Sequence, residues 1–142
     1  MTPEAPIKVR ITRSFSASPE RVFDAWFDPE KAGRFLYATQ EGKMVRVEIE
    51  ARVGGRYSIV ARRAGLDVEH TGEYLEIDRP KRFVFTLQVP LYSEEVDRVT
   101  VEIEPADGGC ELTLVHETSP EWADQTGEGW RMILDTLTGV LS

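Results

Sequence analysis

The chain has 142 residues, of which 41% are hydrophobic and 30% are charged, a balance typical of one globular domain. Its formal net charge of −8 at pH 7 argues against non-specific binding to nucleic acid and against docking on an anionic lipid surface. We therefore expect a single domain over residues 1–142 that has neither nucleic acid nor a membrane as its partner.

The sequence also bears on the compartment. The Met1 to Pro6 segment is short and polar and lacks the apolar centre of a signal peptide. No apolar run reaches the length of a membrane-spanning helix. The single cysteine, Cys110, allows no internal disulfide. These features predict a cytoplasmic protein.

The first third of the chain predicts a strand followed by two short helices. Apolar and polar residues alternate from Ile7 to Phe15, which is typical of a half-buried strand. Ser18-Pro19 and Asp28-Pro29 each join a favoured N-cap residue to a proline that suits the first helical position. We expect the first helix to end near Phe27, where the second start signal follows at once.

The middle of the chain predicts strands joined by tight turns. Asp107-Gly108-Gly109 is strong turn chemistry, because glycine supplies the positive φ angle that short hairpins need. Strands connected in this way pair antiparallel. The alternating segments after the two helices are Met44 to Ala51, Arg56 to Ala61, Glu69 to Asp78, Phe83 to Val89, Val96 to Glu104 and Cys110 to Glu117.

A long helix is predicted at the end of the chain, starting at Pro120 with Ser119 as its cap. Its apolar face is spaced by three and four residues and consists of Thr126, Trp130, Ile133, Leu137 and Leu141. Gly129 is unfavourable inside a helix, which predicts that a strand or a ligand approaches there. The sequence thus predicts an α+β fold in which a curved antiparallel sheet of six to seven strands is wrapped round the terminal helix.

Few residues suggest chemistry. His116 is in phase with Leu112 and Leu114, so it could orient a ligand or act as a base, but we favour a hydrogen-bonded structural histidine. His70 is predicted to be exposed and without a role. Neither histidine has a cysteine partner or the spacing of a zinc site, so we expect no metal and no cofactor. Cys110 is predicted to be an ordinary strand residue rather than a reactive thiol.

Five segments in order resemble the START-like (SRPBCC) superfamily, whose fold is called the helix grip. Within it, the chain is most similar to the branch related to the activator of the heat-shock-protein-ninety ATPase. The matching segments are residues 15–23, Asp28-Pro29-Glu30, residues 52–57, residues 72–80 and Gly129-Trp130. Similar proteins often carry paired tryptophans and then Gly-Pro where this chain has Phe35-Leu36-Tyr37-Ala38, a segment that commonly roofs the cavity.

The resemblance implies a cavity between the sheet and the terminal helix that holds a small apolar or aromatic molecule. It implies no shared catalytic residue. From the aromatic residues predicted on the concave face, we expect a binding protein without catalysis. The predicted ligand contacts are Phe23, Trp26, Phe35, Tyr57, Phe85, His116 and Trp130.

Two alternative functions remain open. The family's name suggests co-regulation of a chaperone ATPase, although the eukaryotic activators join such a domain to a second one. Distant relatives include cyclases and aromatases, for which His116 would be the base and a second polar group would be required. An open sheet edge also makes a homodimer possible.

Overall fold

The computed structural model describes residues 6–37 and 42–141, which form seven strands, three α-helices and one 3₁₀ turn. The elements in chain order are β1 Ile7–Phe15, α1 Pro19–Ala25, α2 Pro29–Phe35, β2 Lys43–Ile49, β3 Arg56–Arg63, β4 Leu66–Asp78, β5 Arg82–Leu87, β6 Asp97–Ala106, β7 Gly109–Thr118, the 3₁₀ turn Pro120–Trp122 and α3 Ala123–Leu141.

The strands form one antiparallel sheet in the order β1-β7-β6-β5-β4-β3-β2. β1 pairs with β7, with Ile7 opposite Thr118, so β1 and β2 are the two edges of the sheet. Helix α3 lies on the concave face and buries Trp130, Leu134 and Leu137 against it. The predicted α+β architecture, with two short helices after the first strand, is confirmed.

Both short helices begin at the predicted cap residues. The Ser18 hydroxyl accepts a hydrogen bond from the backbone N–H of Arg21 at 3.2 Å. The Asp28 carboxylate accepts one from the N–H of Glu30 at 3.0 Å. Each cap satisfies a backbone donor that has no partner within the helix, and a proline follows each cap directly. Local sequence therefore determines where these helices start.

The terminal helix begins differently from the prediction. Ser119 makes no capping hydrogen bond, and instead its hydroxyl donates to a carboxylate oxygen of Glu95 at 2.9 Å. The residues after it, Pro120–Trp122, form a 3₁₀ turn, and the α-helix starts only at Ala123. The predicted cap was wrong because a carboxylate distant in sequence competes successfully for the Ser119 hydroxyl.

Polar contacts fasten α3 to its surroundings. The Arg21 guanidinium on α1 donates to the carbonyl oxygen of Leu141 at 2.6 Å, where α3 ends. Arg13, which shares a face with the apolar residues of β1, pairs with Asp135 on α3. The Asp135 carboxylate on α3 thus explains why the inner face of edge strand β1 carries Arg13.

Gly72 lies where strands β4 and β5 approach each other closely. A Cβ atom at this position would overlap the carbonyl oxygen of Thr86 on β5, next to the hydrogen bond from the Glu73 N–H to the Thr86 hydroxyl at 2.9 Å. We expect Gly72→Ala to lower the free energy of unfolding by at least about 2 kcal/mol, because backbone must move to admit the methyl group. Urea denaturation followed by circular dichroism measures this loss.

Gly139→Ala is the matched control, because a Cβ there meets no atom within 4 Å and Gly139 lies in α3. This substitution should leave stability unchanged or raise it by up to about 1 kcal/mol through helix propensity. Similar losses in both variants would show that the close approach at Gly72 has no special importance.

Candidate functional site

A cavity of about 250 Å³ lies between the sheet and the amino-terminal half of α3. Helix α3 contributes Gln125, Thr126, Gly129, Trp130 and Ile133 to its wall, and the preceding 3₁₀ turn contributes Trp122. The ends of β5, β6 and β7 and the connection between β5 and β6 supply the opposite side. Apolar lining comes from Leu87, Val89, Trp122, Trp130 and Ile133.

The cavity lies beside Gly129, ahead of the tightly packed second half of α3. Leu134 and Leu137 are fully buried, whereas Gly129 faces open space in which an added Cβ would meet no atom within 4 Å. Gly127 is the glycine near a strand, since its Cβ would lie 3.6 Å from a methyl group of Val9. Among the described residues no strand approaches Gly129, so that alternative was wrong. The other alternative, space for a ligand, agrees with the open cavity at Gly129.

A chain of three side chains holds the cavity wall in place. The indole N–H of Trp130 donates to Nδ1 of His116 at 2.8 Å, and Nε2 of His116 lies 2.8 Å from Oδ2 of Asp97. An indole only donates and a carboxylate only accepts, so His116 is the neutral tautomer that carries its proton on Nε2. This arrangement orients the Trp130 ring toward the cavity.

The hydrogen bonds of His116 limit its chemistry. The residue is buried, with 3% of its surface exposed, and both ring nitrogens are engaged. A general base needs a nitrogen lone pair within reach of the substrate. Here the Trp130 indole N–H binds that lone pair, so His116 is hydrogen-bonded through both ring nitrogens.

His70 corrects the prediction of an exposed residue without a role. It is only 5% exposed, its Nδ1 lies 3.2 Å from the carbonyl oxygen of Ile59, and its ring stacks on Tyr37 at 4.1 Å. The error came from the strand boundary, because β4 begins at Leu66 rather than Glu69. His70 thus lies inside the strand, in phase with buried Val68, and it lines the cavity.

Tyr37 lines the cavity from the segment after α2. Its φ angle of 60° is unusual for a residue with a side chain, and its carbonyl oxygen accepts a hydrogen bond from Arg63 at 2.8 Å. Its hydroxyl lies 3.4 Å from that of Tyr57, which itself donates to the carbonyl oxygen of Thr86 at 2.8 Å. Tyr37 must then donate to Tyr57. Burial raises the pKa of both phenols, so both are neutral.

Thr118 is a polar lining residue with an unused hydroxyl. It closes β7 on the same face as His116 and is 2% exposed. Among the described residues, its buried Oγ1 has no hydrogen-bond partner. A buried hydroxyl without a partner costs free energy, so a polar atom of a bound molecule is a natural partner for it.

The structure places the seven predicted ligand contacts in three settings. His116 and Trp130 line the cavity. Trp26, Tyr57 and Phe85 border a second void of only about 10 Å³, and Phe23 and Phe35 lie in the packed core. Several lining residues were not predicted from the sequence. The burial of His70 could have been predicted, because the residue lies in phase with Val68 and Tyr74 on one face of β4. The lining residues that were missed include Tyr37, His70, Glu95, Asp97 and Thr118.

Within residues 6–37 and 42–141, no three histidine, cysteine or carboxylate side chains come together in a way that could hold a metal ion. None of the helices in that part of the chain is both long and apolar enough to cross a membrane. Cys110 is buried in β7, and burial raises the pKa of its thiol, as expected for an unreactive cysteine.

A curved antiparallel sheet around a terminal helix, with two short helices after β1, defines the helix-grip fold of START-like proteins. The sequence matches the family model of Activator of Hsp90 ATPase homolog 1-like proteins over residues 16–142, and the chain belongs to that family. The family resemblance predicted from the sequence is thereby confirmed.

Solved structures agree with this assignment. Protein CV1439 from Chromobacterium violaceum is 27% identical, with a TM-score of 0.86 over 94% of this chain and 96% of that chain. An AHSA1-like protein from Aeromonas hydrophila is 21% identical, with a TM-score of 0.83 over 95% and 92% of the two chains. Protein SA2116 from Staphylococcus aureus is 20% identical, with a TM-score of 0.85 over 96% and 93%. No curated protein matches the sequence.

The buried His70 predicts a pH dependence of stability. Burial, assisted by the positive charge of Arg63, lowers the pKa of His70 from 6.5 to about 4. Between these values the unfolded chain binds a proton that the folded protein does not, so the free energy of unfolding falls as the pH drops from 6.5 to 4. The contribution is about 3 kcal/mol over this range. Urea denaturation at a series of pH values measures it.

His70→Gln is the comparison variant, because glutamine can donate to Ile59 but does not titrate. We expect the difference in stability between the two proteins to shrink steadily as the pH falls from 6.5 to 4. The carboxylates titrate in both proteins and cancel in that difference. A constant difference across the range would contradict the assignment of the slope to His70.

The hydrogen bond from Trp130 to His116 predicts a selective loss of stability. Trp130→Phe removes the donor and leaves a buried ring nitrogen without a partner, which should cost about 2 kcal/mol. Trp122→Phe is the control, since Trp122 is half-buried in the 3₁₀ turn and should change stability by less than about 0.5 kcal/mol. Thermal or urea denaturation compares them, and equal losses would rule out a structural role for the bond.

Proposed function

We propose that the protein binds one small, largely apolar molecule of one or two rings in the cavity, without catalysing its conversion. The observation that carries the proposal is the space of about 250 Å³ under the amino-terminal half of α3, walled by aromatic and aliphatic side chains. A dry apolar cavity of about 150 Å³ already accepts benzene. The present space suits a somewhat larger ring system.

The lining is organised before any ligand arrives. Trp130 is held by His116, and Tyr37 is held by Tyr57 and by its stacking on His70. Rings that are fixed in advance lose little conformational freedom on binding, which favours affinity. A ligand ring would lie against Trp130 and Ile133. Its polar substituent would reach Thr118, whose hydroxyl lacks another partner.

The mouth of the cavity is on the side of the connection between β5 and β6. Tyr92 and Glu95 from this connection and Gln125 from α3 both line the cavity and are exposed. Tyr92 is 58% exposed, so it can move without disturbing the core. A molecule entering here passes from solvent directly to the Trp130 ring.

Ligand binding is preferred over the two alternatives for physical reasons. Catalysis with His116 as base would require a free lone pair, and both of its nitrogens are hydrogen-bonded. Co-regulation of a chaperone ATPase is supported by the family's name alone. Of the seven contacts predicted from the sequence, His116 and Trp130 are retained, and Tyr37, His70 and Thr118 are added.

Filling the cavity tests the proposal. Gly129→Leu places a side chain into the open space, and we expect it to weaken binding of 1-naphthalenemethanol at least tenfold. The added leucine should also leave the protein as stable or more stable by up to about 1 kcal/mol, because leucine favours a helix over glycine. Binding is measured by calorimetry and by the shift of the Trp130 indole N–H signal in NMR spectra.

Gly139→Leu is the matched control on the same helix, since Gly139 faces solvent away from the cavity. It should show the same gain in helix propensity and unchanged binding. The proposal fails if the naphthyl probe does not bind the unmodified protein, or if both glycine variants bind it equally well.

A further inference from the structure

The charged residues that line the cavity are all acidic. Glu95 and Asp97 belong to the wall, and no lysine or arginine lines it in the part of the chain that the structure describes. Residues 1–5, 38–41 and 142 contain neither lysine nor arginine. Arg63 donates to the carbonyl oxygen of Tyr37 and is not part of the lining.

Both carboxylates keep acceptor capacity for a ligand. Asp97 accepts from His116 through Oδ2, and Glu95 accepts from Ser119 through Oε2. A carboxylate has about four acceptor positions on two oxygens, so one hydrogen bond leaves the second oxygen of each group free to bind. His116 is the neutral tautomer and does not cancel the charge of Asp97.

Aromatic faces accompany the carboxylates. Trp130, Trp122, Tyr92 and Tyr37 line the same cavity, and the Tyr37 and Trp130 rings are 5.8 Å apart at an angle of 59°. The face of an aromatic ring attracts cations, and the attraction grows where water is excluded. Aromatic walls with acidic groups at one side therefore favour a positive charge on the ligand.

A buried hydroxyl gives an independent indication that this wall contacts a ligand. Thr118 is 2% exposed, and its Oγ1 has no partner among the described residues. It lies on the same face of β7 as His116, which is bonded to Asp97. A hydroxyl oxygen can accept a hydrogen bond from an ammonium group.

We propose that the cavity takes a hydrophobic organic cation, namely one or two rings that carry a protonated amine. The ring lies against Trp130 and Ile133, and the ammonium group faces Glu95, Asp97 and Thr118. This assignment rests on the proposed function and adds the charge of the ligand to it. A carboxylate of the same size is repelled by the same acidic groups and by the net charge of −8.

Three probes of one shape test the charge preference. We would compare 1-naphthylmethylammonium, 1-naphthalenemethanol and 1-naphthoate by calorimetry at pH 7 and constant ionic strength. The cation should bind about tenfold more tightly than the alcohol, and the carboxylate should bind at least tenfold more weakly. If none of the three binds, the proposed function fails. If the alcohol binds as tightly as the cation, only the present inference fails.

Variants that remove the charge of one carboxylate show which acidic residue causes the preference for a cation. Glu95→Gln and Asp97→Asn keep a hydrogen-bond acceptor for Ser119 and His116, and each should lower the ratio of cation affinity to alcohol affinity at least threefold. Glu104→Gln is the control, because Glu104 is exposed and about 23 Å along β6 from Asp97. Equal losses of cation affinity in all three variants would overturn the assignment, since overall charge would then explain the preference. Folding of each variant is checked by circular dichroism.

Discussion

The hydrogen bond between Trp130 and His116 joins helix α3 to strand β7 at the point where tight packing ends. On its carboxyl-terminal side, Leu134, Leu137 and Leu141 are buried. On its amino-terminal side, a cavity remains between the helix and the ends of β5, β6 and β7. Because Asp97 fixes His116 in turn, the cavity wall depends on three residues from three elements.

Most of the fold was predictable because the signals for it are local. Strand β1 was predicted residue for residue from its alternation, and both short helices begin at the predicted caps. These features depend on side-chain period and on cap residues within a few positions. The start of α3 was wrong for the opposite reason. Ser119 bonds to Glu95, a residue that a local pattern cannot place beside it.

The site was less predictable, because its lining comes from strand ends and connections. The aromatic residues chosen from the sequence are buried, but Phe23 on α1 and Phe35 on α2 belong to the hydrophobic core and do not line the cavity. His70 was misplaced by a strand boundary that was three residues late. Tyr37 follows α2 with a positive φ angle, and its position depends on Arg63 and Tyr57, which are distant in sequence. Only long-range contacts reveal these neighbours.

The connection of residues 88–96 has a consequence for divergence within the family. It supplies Val89, Tyr92, Ser93 and Glu95 to the cavity, yet none of these residues belongs to the hydrophobic core. Substitutions there alter the mouth of the cavity while the packing of α3 on the sheet stays intact. Solved structures with about one fifth of their residues identical keep the same fold. Under the proposed function, this connection is where ligand preference would diverge without a change of scaffold.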